Sequence, residues 1–182
     1  MTIITVLVAY TTLVATLALA ISLLLLRALP AEPLPASGRP GTLASLPPSG
    51  PEVGSPVPPI RAHTSTASLL DTAGLAGHGY LVAFLSSSCQ GCRVSLPILL
   101  GYAERLADPD RLIVVIMGER WRGEDLEQRL AGLATVVPES DGGPIVAAYG
   151  ITAFPSYVLV SGTGTVVATG HSVPDLPQPQ PQ

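Results

Sequence analysis

The sequence predicts an α/β sandwich with a mixed central sheet, and three observations carry that expectation. Short apolar runs alternate with stretches of helical periodicity between Ser68 and Gly170. Arg111-Leu-Ile-Val-Val-Ile-Met117 is a continuous apolar run, as a strand covered on both faces requires. The last two runs, Tyr157 to Val160 and Thr165 to Thr169, flank Ser161-Gly162-Thr163-Gly164, which reads as a hairpin and therefore as antiparallel pairing.

The elements follow in order. Ser68 to Leu75 reads as a short helix and Tyr80 to Leu85 as the first strand of the sheet. Val94, Ile98, Tyr102 and Leu106 recur at near-helical spacing, so a helix is expected from about Gln90 to Ala107, ended by the turn Asp108-Pro109-Asp110. The strand at Arg111 to Met117 comes next. Leu126, Leu130 and Leu133 then mark one side of a helix over Glu124 to Leu133, before a short strand at Thr135 to Val137. Asp141-Gly142-Gly143 turns the chain into a helix from Pro144 to Tyr149, where proline suits the first turn.

Outside these elements the chain changes character. From Ile3 to Leu26 it carries no charge, only apolar residues and small hydroxyls, and about 20 such residues span a bilayer, so residues 1–28 are expected to form a transmembrane anchor. Ala18-Leu19-Ala20 resembles a signal-cleavage site, but no Lys or Arg precedes the run, which also continues past that triplet. Residues 29–59 are dense in Pro, Gly and Ser and are expected to be an extended spacer that buries nothing. Residues 174–182, ending in alternating Pro and Gln, form a tail that cannot fold. One small domain remains, over residues 60–173.

Charge narrows the function. The net charge is -4, with nine dispersed Arg and no Lys, and no basic stripe supports nucleic-acid binding. The only two cysteines form Cys89-Gln90-Gly91-Cys92, where an apolar strand runs into a helix. At that spacing one thiolate can attack a disulfide and the other can resolve the mixed disulfide. A helix start favours the thiolate of the first, so Cys89 is expected to be the exposed nucleophile and Cys92, one turn in, the resolving thiol. Gln90 and Gly91 let the loop close the small disulfide ring. Zinc would need two further ligands, and His63, His78 and His171 stand at no finger spacing, so neither metal nor cofactor is implied. All three read as surface loop residues.

Three features in the right order make the stretch from Tyr80 to Gly170 resemble thioredoxin-like proteins, and within them the membrane-anchored thiol:disulfide oxidoreductases of the TlpA and MauD type. They are the strand leading into Cys89-Gln90-Gly91-Cys92-Arg93 with Pro97 five residues on, the segment Tyr149-Gly-Ile-Thr-Ala-Phe-Pro-Ser156, and the glycine-bearing terminal hairpin. The resemblance implies a cis Pro155 facing the dithiol. Phe154 and Pro155, with Gln90 and Gly91, would then form the groove in which an extended substrate pairs with backbone, as an added strand does. It further implies disulfide-bearing protein substrates outside the cytoplasm and an integral-membrane dithiol donor that reloads the pair. The positive-inside rule, resting on Arg27 alone, points weakly the other way; a tethered dithiol beside soluble cytosolic reductants would be redundant.

The sequence also departs from that family. Ala83 stands where a buried acid usually lies, Ser95 where many TlpA-like proteins carry another, and Ser88 where an aromatic often precedes the first cysteine. The proton of Cys92 is thereby left to water. The segment after Gly170 cannot supply the usual terminal helix, which leaves one sheet face to be covered otherwise. Two other functions fit parts of the pattern. One is a non-catalytic peptide-binding module whose cysteines are locked as a disulfide. The other is a peroxiredoxin-like peroxidase, suggested by Ser86 three residues before Cys89 but lacking the usual proline at Val82.

Overall fold

The computed structural model describes residues 49–177 and, in isolation, Ala15. The expected anchor, most of the expected spacer and the tail from Gln178 lie outside the described residues. Among the described residues no helix is long and apolar enough to cross a membrane.

Five strands form the main sheet. β1 (Arg61–His63) and β2 (Leu69–Asp71) make a separate antiparallel hairpin. β3 (Tyr80–Ser86) then leads into α1 (Gln90–Leu106), β4 (Leu112–Met117) into α2 (Arg120–Leu130), and β5 (Thr135–Glu139) into α3 (Pro144–Ala148). β6 (Ser156–Val160) and β7 (Val166–Gly170) close the fold as a hairpin. The strand order is β5-β4-β3-β6-β7. β3, β4 and β5 run parallel, while β6 is antiparallel to β3 and to β7. The expected mixed sheet is therefore present.

The apolar runs divide by alternation between two cores. Leu81, Ala83 and Leu85 of β3, with Leu112, Val114 and Ile116 of β4, face α1 and α2, where they meet Leu96, Leu99, Tyr102, Leu126 and Leu130. Tyr80, Val82, Phe84, Ile113 and Val115 face the other way, toward Val146, Tyr149 and Ile151 around α3 and toward Ile60. A run buried on both faces needs no polar alternation, which is why these strands read as unbroken apolar stretches. Each large side chain so buried stabilises the fold by about 1.5–3 kcal/mol.

Three expectations are corrected. Ser68 to Leu75 is not a helix: Leu69 is exposed and Leu70 packs inward, a period of two, and only Thr72–Leu75 coils, as a 3-10 turn whose start Asp71 caps through Ala73 N at 3.0 Å. The second correction concerns residues 49–59, which pack on the domain instead of spanning open space. Their non-proline amides do what proline cannot: Gly54 N donates to Val166 O (2.9 Å) and Val57 N to Gly164 O (3.0 Å), while Ser55 O accepts from Val166 N (2.9 Å). The third concerns the tail. Val173–Asp175 forms a 3-10 turn, and Val173 and Leu176 are buried in the α1-side core. Two aliphatic side chains thus join that core from a segment without an α-helix. Smaller differences lie at ends: α2 begins four residues earlier than periodicity suggests, and β5 extends to Glu139.

Candidate active site

β3 ends beneath the start of α1, and the short connection sets the first cysteine. Ser87 N donates to Met117 O (2.9 Å) and Cys89 N to Ser86 O (3.1 Å), so the turn is tied to both central parallel strands. Gly118, at φ +117°, leaves room for Ser87; a Cβ there would fall 2.3 Å from Ser87 Oγ. Arg93 holds the turn from the other side. Its Nη2 donates to Ser87 O (3.2 Å) and Arg122 O (3.3 Å), and its Nη1 pairs with Asp125, so α1, α2 and the turn are joined by one guanidinium.

Cys89 is the N-cap of α1, at φ -83° and ψ 113°. Its Sγ accepts the hydrogen of Cys92 N (3.1 Å), one of the helix-start amides that has no partner within the helix. The residue is half-buried, whereas Cys92 is wholly buried, the order of exposure expected of an attacking and a resolving thiol. Burial pushes the Cys92 thiol up to about 12, and the hydrogen bond and negative charge of Cys89 push the same way. The amide of Ser86, 3.5 Å from Cys92 Sγ, opposes them.

The Phe154–Pro155 peptide bond is cis, as expected, and faces the dithiol. Cys89 Sγ lies 3.5 Å from Phe154 O. A Cβ on Gly91 would meet Cys89 Sγ and Pro155 Cδ, each at 3.7 Å, which puts Gly91 beside both the sulfur and the proline. Gly91 is an ordinary helical residue here, so its contribution is an open face, not a special backbone angle. Gln90, at the first helical position, is exposed. Cys89, Gln90, Gly91, Phe154 and Pro155 therefore share one surface, with Cys92 behind it. Four cavities of the domain, of roughly 200 to 480 Å³, lie elsewhere, and neither cysteine lines any of them. Of the pair, only Cys89 reaches that surface.

Ala83 lies directly across the β3–β6 ladder from Tyr157, on the face that holds Cys92. Tyr157 is fully buried, and its hydroxyl donates to Ser95 Oγ (3.3 Å), which donates to Cys92 O (3.1 Å). Burial raises the pKa of the Tyr157 hydroxyl above the usual phenol value; Ser95 opposes this, and the negative charges of the two cysteines add to it. Two hydroxyls thus occupy the region where the sequence resemblance leads one to expect carboxylates.

Sequence reasoning missed Tyr157, Ser49 and His171. His171 is not a free surface loop residue. The register Tyr157 opposite Gly170 brings the next residue beside Ser156, and His171 Nδ1 lies 2.8 Å from Pro155 O and 3.3 Å from Ser156 Oγ. The signal was the hairpin itself, which returns the chain to the proline. Trp121, in contrast, is exposed, with the Arg122 guanidinium 4.7 Å from its ring centroid. Ser86 Oγ contacts Ser88 Oγ at 3.2 Å. Among the described residues no group of three His, Cys, Asp or Glu side chains is placed to hold a metal ion.

No family model matches the chain, and no curated protein does. Solved structures do. The thioredoxin domain of a thiol-disulfide oxidoreductase from Bacteroides vulgatus matches with a TM-score of 0.55 at 23% identity, over 69% of this chain and 92% of that one. A thiol:disulfide interchange protein of the thioredoxin family from Chlorobium tepidum matches with 0.55 at 18% identity, over 65% and 86%. A secreted Mycobacterium tuberculosis disulfide oxidoreductase homologous to E. coli DsbE matches with 0.53 at 19% identity, over 62% and 83%. The domain therefore has the thioredoxin-like α/β fold with a mixed five-stranded sheet.

Proposed function

We propose that the chain is a thiol:disulfide oxidoreductase that reduces disulfides of partner proteins, tethered to a membrane by its first 28 residues with the domain outside the cytoplasm. The observation that carries the reading is the half-buried Cys89 sulfur, held between the start of α1 and the Phe154–Pro155 loop, with Cys92 wholly buried one turn behind. The open surface suits a polypeptide substrate better than a small molecule.

The exchange follows from that arrangement. Cys89, as thiolate, attacks one sulfur of the partner's disulfide, forming a mixed disulfide and releasing the partner's other sulfur as a thiolate. Cys92 then loses its proton and attacks Cys89 Sγ; the partner leaves with two reduced sulfurs and the chain keeps a Cys89–Cys92 disulfide. Two electrons pass to the partner, and a membrane dithiol donor must return two. Burial, the largest cause of the raised Cys92 pKa, remains in the mixed disulfide although Cys89 no longer carries a charge there, so loss of the Cys92 proton is the demanding step and the mixed disulfide persists until that proton leaves.

The test is capture in cells that make the full chain. Cys92→Ser accumulates covalent partners that a reductant releases, and Cys89→Ser yields none and reduces no insulin. Exchange indifferent to both substitutions, or a wild-type pair that stays oxidised and never turns over, overturns the reading, the latter in favour of the locked binding module.

A further inference from the structure

We infer that Ser49, in the segment by which the chain enters the domain, is a positioning residue for the loop beside Cys89; the inference rests on the exchange reading above. The stretch from Ile151 to Pro155 connects α3 to β6 without regular structure of its own. Two of its amides find their acceptor far away in sequence: Thr152 N donates to Ser49 Oγ at 3.0 Å and Ala153 N to the same oxygen at 3.3 Å. Ser49 is buried, 6% exposed, and its hydroxyl also lies 3.2 Å from that of Ser156. A buried hydroxyl meeting two loop amides and a second hydroxyl is a fixed node, because both amides would lose their acceptor if the oxygen were removed.

The surroundings keep this node in place. Gly50 N donates to Gly150 O at 3.3 Å, and Gly50 adopts φ +107° with Ile151 and Val158 close by, so the entering chain lies flat against the loop. From the opposite side Ser156 Oγ donates to Ala153 O (2.7 Å), and His171 Nδ1 must donate to Pro155 O (2.8 Å), since a carbonyl only accepts. Residues 152, 153 and 155 are thus each held by a side chain from outside the loop. Phe154, between them, is left with its carbonyl facing Cys89 Sγ. Ser49 sets where that carbonyl stands, and so where an extended peptide meets the thiolate.

Thr and Val have nearly the same shape and differ by the hydroxyl, so S49T and S49V in the full chain isolate the oxygen from any packing change. Two readouts apply: rates with a peptide disulfide against hydroxyethyl disulfide, which is too small to use the loop as a strand, and hydrogen exchange at the amides of Thr152 and Ala153. The expected result is that the preference for the peptide disulfide falls about tenfold in S49V relative to S49T. The two amides exchange faster in S49V while those of β3 do not. Equal behaviour of S49T and S49V overturns the inference, as does faster exchange throughout β3 with equal loss on both disulfides, which marks a weakened fold. A wild-type chain inert toward every disulfide removes the exchange reading instead, and the two amides then judge the clamp alone.

Discussion

Replacing Cys89 by Ser isolates the thiol of Cys92 and tests what governs its acidity. In the intact pair, burial is the largest of the influences that take Cys92 from 9.0 to about 12, followed by the hydrogen bond and the negative charge of Cys89. That interval corresponds to about a thousandfold less thiolate at pH 8. Burial survives in C89S, whereas both contributions of Cys89 disappear, so the value should come down from about 12 without reaching 9.0. Iodoacetamide alkylation, followed by mass spectrometry from about pH 7 to about pH 11, reports this, because only the thiolate reacts. The expected rate climbs about tenfold per pH unit and is still climbing beyond pH 9. The same chain unfolded in guanidinium levels off near 9. Poor access lowers the folded rate at every pH, so the shape of the profile carries the answer. A folded profile that flattens at or below pH 9 refutes the reasoning.

Two further outcomes concern stability. Cys92 is raised above 9.0, and Tyr80, Tyr102, Tyr149 and Tyr157 above 10.0, all chiefly by burial. Folding favours the protonated form of each, so their contribution is complete below about pH 9 and is lost as pH rises toward and through the folded values. Guanidinium midpoints should hold level to about pH 9 and then fall steadily; a midpoint that stays level through about pH 11 would count against buried, proton-holding side chains. On the outer strand β5, Glu139 is buried, and its two carboxylate oxygens accept from Ile145 N (2.6 Å) and Val146 N (3.0 Å) at the start of α3. E139A should cost about 1–3 kcal/mol in urea unfolding and E139Q less, since the amide keeps one acceptor. Equal stability of E139A and wild type would show the carboxylate to be incidental.

The sheet was legible because its strands are buried on both faces: Tyr80 to Leu85 and Leu112 to Met117 have no polar residue to blur their bounds. α1 was legible for the opposite reason, through the period of its apolar residues. Periodicity failed at Leu69 and Leu70, where two adjacent leucines before Asp71 fit a helical face as well as a strand that exposes one and buries the other. It also undervalued Pro-rich chain, since composition counts the amides that prolines lack and not those of Gly54 and Val57, which reach Val166 and Gly164 of the terminal hairpin. At the site, Cys89, Cys92 and Pro155 were readable as local patterns. Ser49, Tyr157 and His171 were not, because each acquires its role from pairing that no local window contains: a serine about a hundred residues from its partners, a tyrosine opposite Ala83, a histidine brought back by a hairpin.

The contacts of the entering chain have a consequence for how the molecule coexists with its own copies. β7 is an outer strand, yet Gly54 N and Ser55 O pair with Val166 at its start, and Val57 N takes Gly164 O just before it. β5 is the other outer strand, and Ser65 N takes Val136 O there at 2.8 Å. One N-terminal stretch thus engages both margins of the sheet, at Val166 and at Val136, and interrupts there the rows of free amides and carbonyls through which neighbouring sheets zip together. A second copy that extends either row must first displace these contacts, so the entering chain competes with its neighbours for the same backbone.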